Sequence, residues 1–321
     1  MKKSLFFVIA VFIFGLILSS CEKNPAAPVI IPDEEVHKIP YERLSGQIAF
    51  RRIVKDLPDE YYIIIIDGDE HSLTNKALFY PYIPANLQFS PDGEQILFSY
   101  YSYRYPTLSY QWQLYVMDLS SVVMQNMSPS YFDDSFGSWS PDGQKVVFWS
   151  NRNFQSGLWL QDVGADTAEF LFPVNVLART RSAWSPDGQR LVFSDMDSSG
   201  RAVIFSYDFA SLETKTLFVS DEDSNRVAFK HLVLAQDGER LALVKAQATG
   251  IDEIWIFNLI DQSKKQLTMG NADWHPCWSP GGNQILFSRG HNLYIINDDG
   301  TELEQVTFGE NNFDEYPTWI Q

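Results

Sequence analysis

Residues 139–150 read WSPDGQKVVFWS, and nearly the same dozen residues return as WSPDGQRLVFSD at 184–195, WSPGGNQILFSR at 278–289 and FSPDGEQILFSY at 89–100. A period of this length calls for a repeat architecture before any other reading. Anchors fall at Phe89, Trp139, Trp184, Leu234, Trp278 and Trp319, spaced 50, 45, 50, 44 and 41 residues apart. The Leu234 copy, LAQDGERLALVK, keeps Asp237, Gly238 and the apolar alternation but has lost the serine, the proline and the aromatic anchor.

Each anchor leads into turn chemistry and then a strand. In Ser140-Pro141-Asp142-Gly143 the proline presets φ at the second turn position, and the glycine accepts the left-handed conformation that closes a hairpin. Val146–Phe148, Leu191–Phe193 and Ile285–Phe287 are β-rich runs that can be buried on both faces. A third strand follows as apolar, aromatic, apolar, any, Asp or Asn, at residues 114–118, 158–162, 204–208, 254–258 and 293–297. A fourth ends in Leu-Thr or a close variant, as at Leu267-Thr268 and Val306-Thr307. Four strands in each period of some 46 residues make one propeller blade.

The chain ends set the blade count. EYPTW, residues 315–319, repeats the approach to an anchor and then stops, whereas GQIAFRR at 46–52 resembles the later part of a repeat. Ile63–Asp67 and Leu73-Thr74 supply that blade's third and fourth strands. One blade therefore takes its innermost strand from the C-terminus and three from the N-terminus. The expected fold is all-β, a six-bladed propeller of four-stranded antiparallel blades over residues 46–321. The anchor tryptophans are expected to pack blade on blade, because one blade cannot bury both its faces alone.

The W-S-P-D-G hairpins, the aromatic third strand and the Leu-Thr ending resemble the TolB family of six-bladed propellers, over Gly46–Gln321. Members of that family are mostly noncatalytic platforms for protein contacts in the bacterial envelope, and the resemblance implies the same here. TolB itself carries an α/β domain ahead of its propeller, and a short segment stands in that place in this chain. Its interaction with the peptidoglycan-associated lipoprotein therefore does not transfer to named residues.

The first residues read as an address. Two lysines precede an apolar run from Leu5 to Leu18, too short for the roughly 20 residues of a membrane span and suited to a secretory leader. Leu18-Ser19-Ser20-Cys21 resembles a lipobox, which implies cleavage after residue 20 and lipid on Cys21. Glu22, in place of the aspartate that retains some lipoproteins in the inner membrane, points to the outer membrane. Residues 21–45, with four prolines after the cysteine, read as a tether. Cys277 is then left without a disulfide partner and is expected to be a buried, inert thiol.

Charge limits the partners. Without residues 1–20 the chain has 22 basic against 41 acidic residues, a surface that repels nucleic acid and leaves the lipid as the means of membrane attachment. A monomer is expected. Catalytic signatures are missing: the sequence holds no G-x-S-x-G elbow, no H-E-x-x-H and no phosphate-binding glycine loop. The five histidines, His37, His71, His231, His275 and His291, have no metal-ligand spacing. Distant histidines can still meet on a propeller axis, which keeps a metal-dependent polysaccharide lyase as an alternative through His231 and His275. Asp195, Asp197 and Ser199 begin like a calcium loop but are read as an ordinary turn. No catalytic residue, metal or cofactor is expected.

Binding is sought instead on the face where the connections vary between repeats. The segment YYSYRYPTLSY, residues 100–110, sets Tyr100, Tyr101, Tyr103, Tyr105 and Tyr110 beside Arg104, a composition typical of interface hot spots. Before the anchors stand Asp134, Arg179, Arg181, His231, Asp273, Trp274, His275, Asp314 and Tyr316, which converge near the axis. The aspartates five residues before Trp139, Trp278 and Trp319 serve equally as ligands or as structural caps on the inner strand. The expected partner is an envelope protein, with a glycan or peptidoglycan fragment as the alternative ligand.

Overall fold

The computed structural model describes residues 33–321 apart from 56, 58–59, 80–81, 105–108, 128, 175–180, 222–226, 248–249 and 310, and it does not describe the side chains of 33, 34, 102 and 104. Among the described residues, strands β1–β24 pair into six four-stranded antiparallel sheets. Blade 1 is β4–β7 (Ile83–Phe89, Gln95–Arg104, Ser109–Asp118, Met124–Asn126) and blade 2 is β8–β11 (Asp134–Trp139, Lys145–Ser150, Gly157–Asp162, Ala168–Pro173). Blade 3 is β12–β15 (Ala183–Trp184, Arg190–Met196, Ala202–Asp208, Glu213–Val219) and blade 4 is β16–β19 (Val227–Leu234, Arg240–Gln247, Glu253–Asn258, Lys264–Gln266). Blade 5 is β20–β23 (Asp273–Trp278, Gln284–Arg289, Asn292–Asn297, Glu304–Gln305). Blade 6 joins β24 (Asn312–Ile320) to β1–β3 (Gln47–Val54, Tyr61–Asp67, Ser72–Phe79). This is the six-bladed propeller, with the split blade, that the repeat implies.

The core lies between blades. Blade 6 residues Ala49, Ile63 and Ile65 cluster with Leu87, Ile96 and Phe98 of blade 1, and Val192 and Ile204 of blade 3 cluster with Leu241 and Leu243 of blade 4. The second strand of each blade is buried on both faces, as at Val146–Ser150 and Ile285–Ser288. Its β-branched and aromatic residues suit that setting.

The repeated hairpin is a hydrogen-bonded unit. Ser140 Oγ donates to Asp142 Oδ1 at 2.5 Å and accepts from the Lys145 amide at 2.9 Å, and Gly143 takes a φ of 69°. Ser90 with Asp92 and Ser185 with Asp187 repeat the pattern. The serine hydrogen bond, followed by an amide from the turn, holds each of these aspartates below the usual carboxylate range. Successive hairpins interlock: Pro91 lies against Gly143, Pro141 against Gly188 and Pro186 against Gly238. The indole N–H of Trp184 donates to the Ser138 carbonyl at 3.1 Å, and that of Trp278 to the Val233 carbonyl at 3.1 Å, tying each anchor to the inner strand of the blade before it.

Closure rests on β24, which pairs with β1 from Gln47↔Ile320 to Val54↔Asn312. Arg52 and Asp314 face each other across that ladder and form two hydrogen bonds of 2.7 Å, with the side chains 1% and 0% exposed. Glu35, on the short helix α1 (Asp33–Val36), takes the other side of the same guanidinium, with one hydrogen bond of 3.0 Å. From Asp33 on, the stretch read as a tether thus lies against the closing blade, with Ile39 and Leu44 also buried.

Removing one partner of a buried ion pair strands the other charge, at a cost of about 3–5 kcal/mol. Asp314→Ala should lower the unfolding free energy by that amount in urea denaturation. Asp162→Ala, which breaks the exposed Lys145–Asp162 pair, should leave the midpoint unmoved.

Candidate functional site

Every described inner strand that is long enough carries the same irregularity. The register shifts between Ala85 and Gln88, Ser135 and Ser138, Lys230 and Val233, Trp274 and Cys277, and across Ala49 and Arg51 opposite β24. At each bulge one non-glycine residue takes a left-handed φ: Asn86 57°, Phe136 58°, His231 51°, His275 55° and Tyr316 56°. All five stand three residues before their anchors, and Arg181 holds the same place before Trp184. A left-handed non-glycine residue costs roughly 1–2 kcal/mol, and strain of this kind gathers at sites that need a side chain re-aimed.

The bulges aim their side chains inward. Asn86, Arg181, His231, His275 and Tyr316 line a constriction whose free space is about 10 Å³, room for one water molecule. The rings of His231 and His275 meet edge to face at 4.5 Å, His275 lies 3.9 Å from Tyr316, and the Arg51 guanidinium sits 4.7 Å over the Tyr316 ring. His275 is 6% exposed and its Nδ1 has no hydrogen-bond partner. Phe136 turns instead to the hydrophobic cluster between blades 2 and 3.

Among the described residues Arg181 donates one hydrogen bond, from Nη2 to the Leu87 carbonyl at 2.8 Å, and its Nε is buried without a partner. Burial pushes its pKa down to about 10. Burial first, and Arg181 and Lys230 after it, push His231 down to about 3, and His275 is depressed by burial, His231, Arg51 and Arg181. Both imidazoles are therefore neutral at pH 7. Burial raises the Cys277 thiol, which is free and buried in the same inner strand as His275.

The constriction opens toward the repeated hairpins. Arg181 and Val233 also line a vestibule of about 510 Å³ whose rim includes Pro91, Pro141 and Pro186 and whose wall includes Trp184 and Trp319.

The three aspartates of the mouth are all bound within the protein. Asp273 is held by Arg289 at 2.7 and 2.8 Å, Asp134 by Arg152 at 2.8 Å, and Asp314 by Arg52; all three carboxylates are fully buried. This is the arrangement of a cap on the inner strand. Trp274, 42% exposed, stands beside His275 with ring centres 6.0 Å apart.

The tyrosine segment is a β-hairpin, because β5 and β6 continue through it with Tyr101↔Trp112, Tyr103↔Tyr110 and Arg104↔Ser109 in register. Tyr100 points inward, against Phe79, Phe98 and Tyr115. Tyr101 stacks on Tyr110 at 5.6 Å, while Tyr103 and Tyr110 are 44% and 55% exposed. Cys21, Tyr105, Arg179 and the side chain of Arg104 lie outside what is described. Strand alternation explains why Tyr100 parts from its neighbours. The exposed Tyr131 and Phe154, which sequence reasoning missed, belong to the same surface: Gln111 donates to the Tyr131 carbonyl at 2.6 Å, and the Phe132 and Phe154 rings lie 5.8 Å apart.

Among the described residues no three His, Cys, Asp or Glu side chains gather as a metal-holding group. Asp197 is occupied by Ser199 and Arg201 of its own turn.

A ring of six four-stranded blades defines a six-bladed β-propeller. The model of the dipeptidyl peptidase IV N-terminal region family matches residues 90–215 and 245–321, and the chain belongs to that family. Of solved structures, TolB from Acinetobacter baumannii superposes with a TM-score of 0.71 at 22% identity, covering 85% of this chain and 66% of that one. The putative TolB from Agrobacterium tumefaciens gives a TM-score of 0.62 at 16% identity over 86% and 99% of the two chains. A chain of the nidogen/laminin complex gives 0.64 at 10% identity over 85% and 98%. A search of curated proteins returns no match.

Two neutral histidines, His275 buried and His231 half-buried, make stability depend on pH. Their folded pKa values lie below the unfolded value near 6.5, so the stabilisation is full above pH 6.5 and is lost as pH falls toward 3, where the unfolded chain binds the extra protons. Each histidine contributes a slope of up to about 1.4 kcal/mol per pH unit in that window. His231→Asn, which keeps a residue suited to the left-handed bulge, should flatten the urea-midpoint profile between pH 6 and 4 by one such increment.

Proposed function

We propose that this chain is a noncatalytic protein-interaction scaffold of the bacterial cell envelope, held on the outer membrane by a lipid on Cys21, and that it engages another envelope protein through the aromatic surface of blades 1 and 2. The observation that carries the reading is the grouping of exposed aromatic side chains on neighbouring connections of blades 1 and 2. Tyr103 and Tyr110 on the β5–β6 hairpin, Tyr131 behind it and Phe154, which is 95% exposed, display four large aromatic groups along two adjacent blades. Folded domains rarely leave so much aromatic area in water unless something covers it. Tyrosines already stacked on one another, Tyr101 on Tyr110 and Tyr101 5.0 Å from Trp112, lose little further freedom on binding.

The fold supports the same reading. A propeller is a rigid ring whose connections can vary without loss of core, and a chain of similar shape is found in the nidogen/laminin complex, a complex of two proteins. The leader, the lipobox-like residues and the acidic composition are in keeping with an exported, lipid-held domain.

In-cell photo-crosslinking tests this. A photoreactive residue at Tyr103 or Phe154 should give a discrete protein adduct, while one at Gln144, on the exposed hairpins of the other face, should not. No protein adduct from either aromatic position would overturn the scaffold reading.

A further inference from the structure

The axis holds a charge that no carboxylate among the described residues answers. Glu315 pairs with Arg51, Asp314 with Arg52, Asp273 with Arg289 and Asp134 with Arg152. Among the described residues no carboxylate reaches Arg181, whose one hydrogen bond goes to a neutral carbonyl. In a chain of net charge −17, the neck of the propeller is thus cationic. A charge held in a fold without a counter-charge is costly, and beside the unpartnered Nε of Arg181 the neighbouring His275 Nδ1 is a second polar atom buried without a partner. His275 is delivered to the axis by a strained left-handed bulge of β20, and Arg181 stands two residues ahead of β12.

We propose that Arg181, at the foot of the vestibule where it narrows to the neck, binds a carboxylate whose carrier enters from the hairpin face. Arg181 takes the carboxylate through the fork of its guanidinium, the arrangement for which that group is suited. His231 and His275 lie behind Arg181 in the constriction, where the Nδ1 of His275 is buried without a partner. The apolar body of the ligand occupies the vestibule of about 510 Å³, a size that suits a small ligand or a few residues of peptide, against Trp184, Trp319 and the prolines of the rim. A cation is disfavoured here by Arg51 and Arg181 themselves. This site lies at the opposite end of the blades from the β5–β6 hairpin, so it stands or falls independently of the scaffold reading.

The carboxylate can belong to a peptide chain end or to a free organic acid, and two probes separate these sources: N-acetyl-Ala-Leu with a free carboxyl, and octanoate. Calorimetric titration of the purified full chain should show saturable binding of one acid or both. The peptide amide and octanamide, which differ in lacking the charge, should bind at least tenfold more weakly. Arg181→Gln should weaken acid binding at least tenfold, and His231→Asn should weaken it severalfold, with a shift of the His275 ring signals on acid binding in wild type as the local readout. Phe154→Ala, on the other face, should change nothing. Equal binding of acid and amide, no binding of either acid, or an unchanged affinity in folded Arg181→Gln would overturn the proposal. Should Arg181→Gln fail to fold, an unchanged affinity in His231→Asn would overturn it as well.

Discussion

The ring is held closed by one ladder, β24 against β1, and by the buried guanidinium of Arg52 that spans it. Every other blade is built from consecutive strands and forms by local hairpin closure. Blade 6 must bring together residues 262 positions apart at the Arg52–Asp314 pair, with the loop-closure entropy that implies. A hydrophobic ladder alone tolerates slippage by two residues without changing which side chains face inward. A bidentate ion pair does not, because a two-residue slip would leave both charges buried and apart. Arg52 thus fixes the register of closure, and Glu35 attaches the preceding segment to the same point.

The other blades use a version of the same clasp. Asp273 with Arg289 joins the inner strand of blade 5 to its second strand, and in blade 2 Asp134 is held by Arg152, in the 3-10 turn that follows the second strand. In blade 1 the corresponding place is taken by Pro84, whose carbonyl accepts from Arg51 of blade 6. Charge at these positions holds the strands below the bulges, which lets the bulges above present unlike residues to the axis. The constant hairpins perform the matching task at the other end, where proline and glycine of adjacent blades interlock.

Much of the fold was legible because the repeat writes its own architecture: anchor, turn and strand recur with so little change that strand order and blade number follow from spacing. Even the worn Leu234 copy forms its hairpin, since Gly238 retains the left-handed φ of 71° that the turn requires. The site was legible in part. Arg181, His231, His275 and Tyr316 stood out as polar or aromatic residues ahead of anchors, but Asn86 and Phe136 at the same register did not, because a bulge shifts phase and period-two reasoning cannot see it. Asparagine and histidine at a fixed distance from the anchors are residues tolerant of the left-handed region, and that was the available signal. The pairing of the mouth aspartates was hidden for another reason: each arginine partner lies in a different element, and composition cannot say which charges meet. Tyr131 and Phe154 escaped notice as isolated aromatics in separate connections.

The molecule therefore divides its two ends by physics rather than by sequence variation alone. The end with varied connections carries flat, exposed aromatic area and charges already paired, which suits a broad surface of modest polarity. The hairpin end looks constant, since its rim must interlock, yet that rim encloses the funnel leading to Arg181. A constant rim does not make a passive face: rigid turns fix the width of the opening, and the residues that give it chemical character lie deeper, at the register of the bulges, where five of the blades contribute unlike side chains. The strain at these bulges, repeated in every described inner strand long enough to hold one, would be a poor use of the fold if the axis were only a packing seam. It is a consistent way to point several unlike side chains at one small volume.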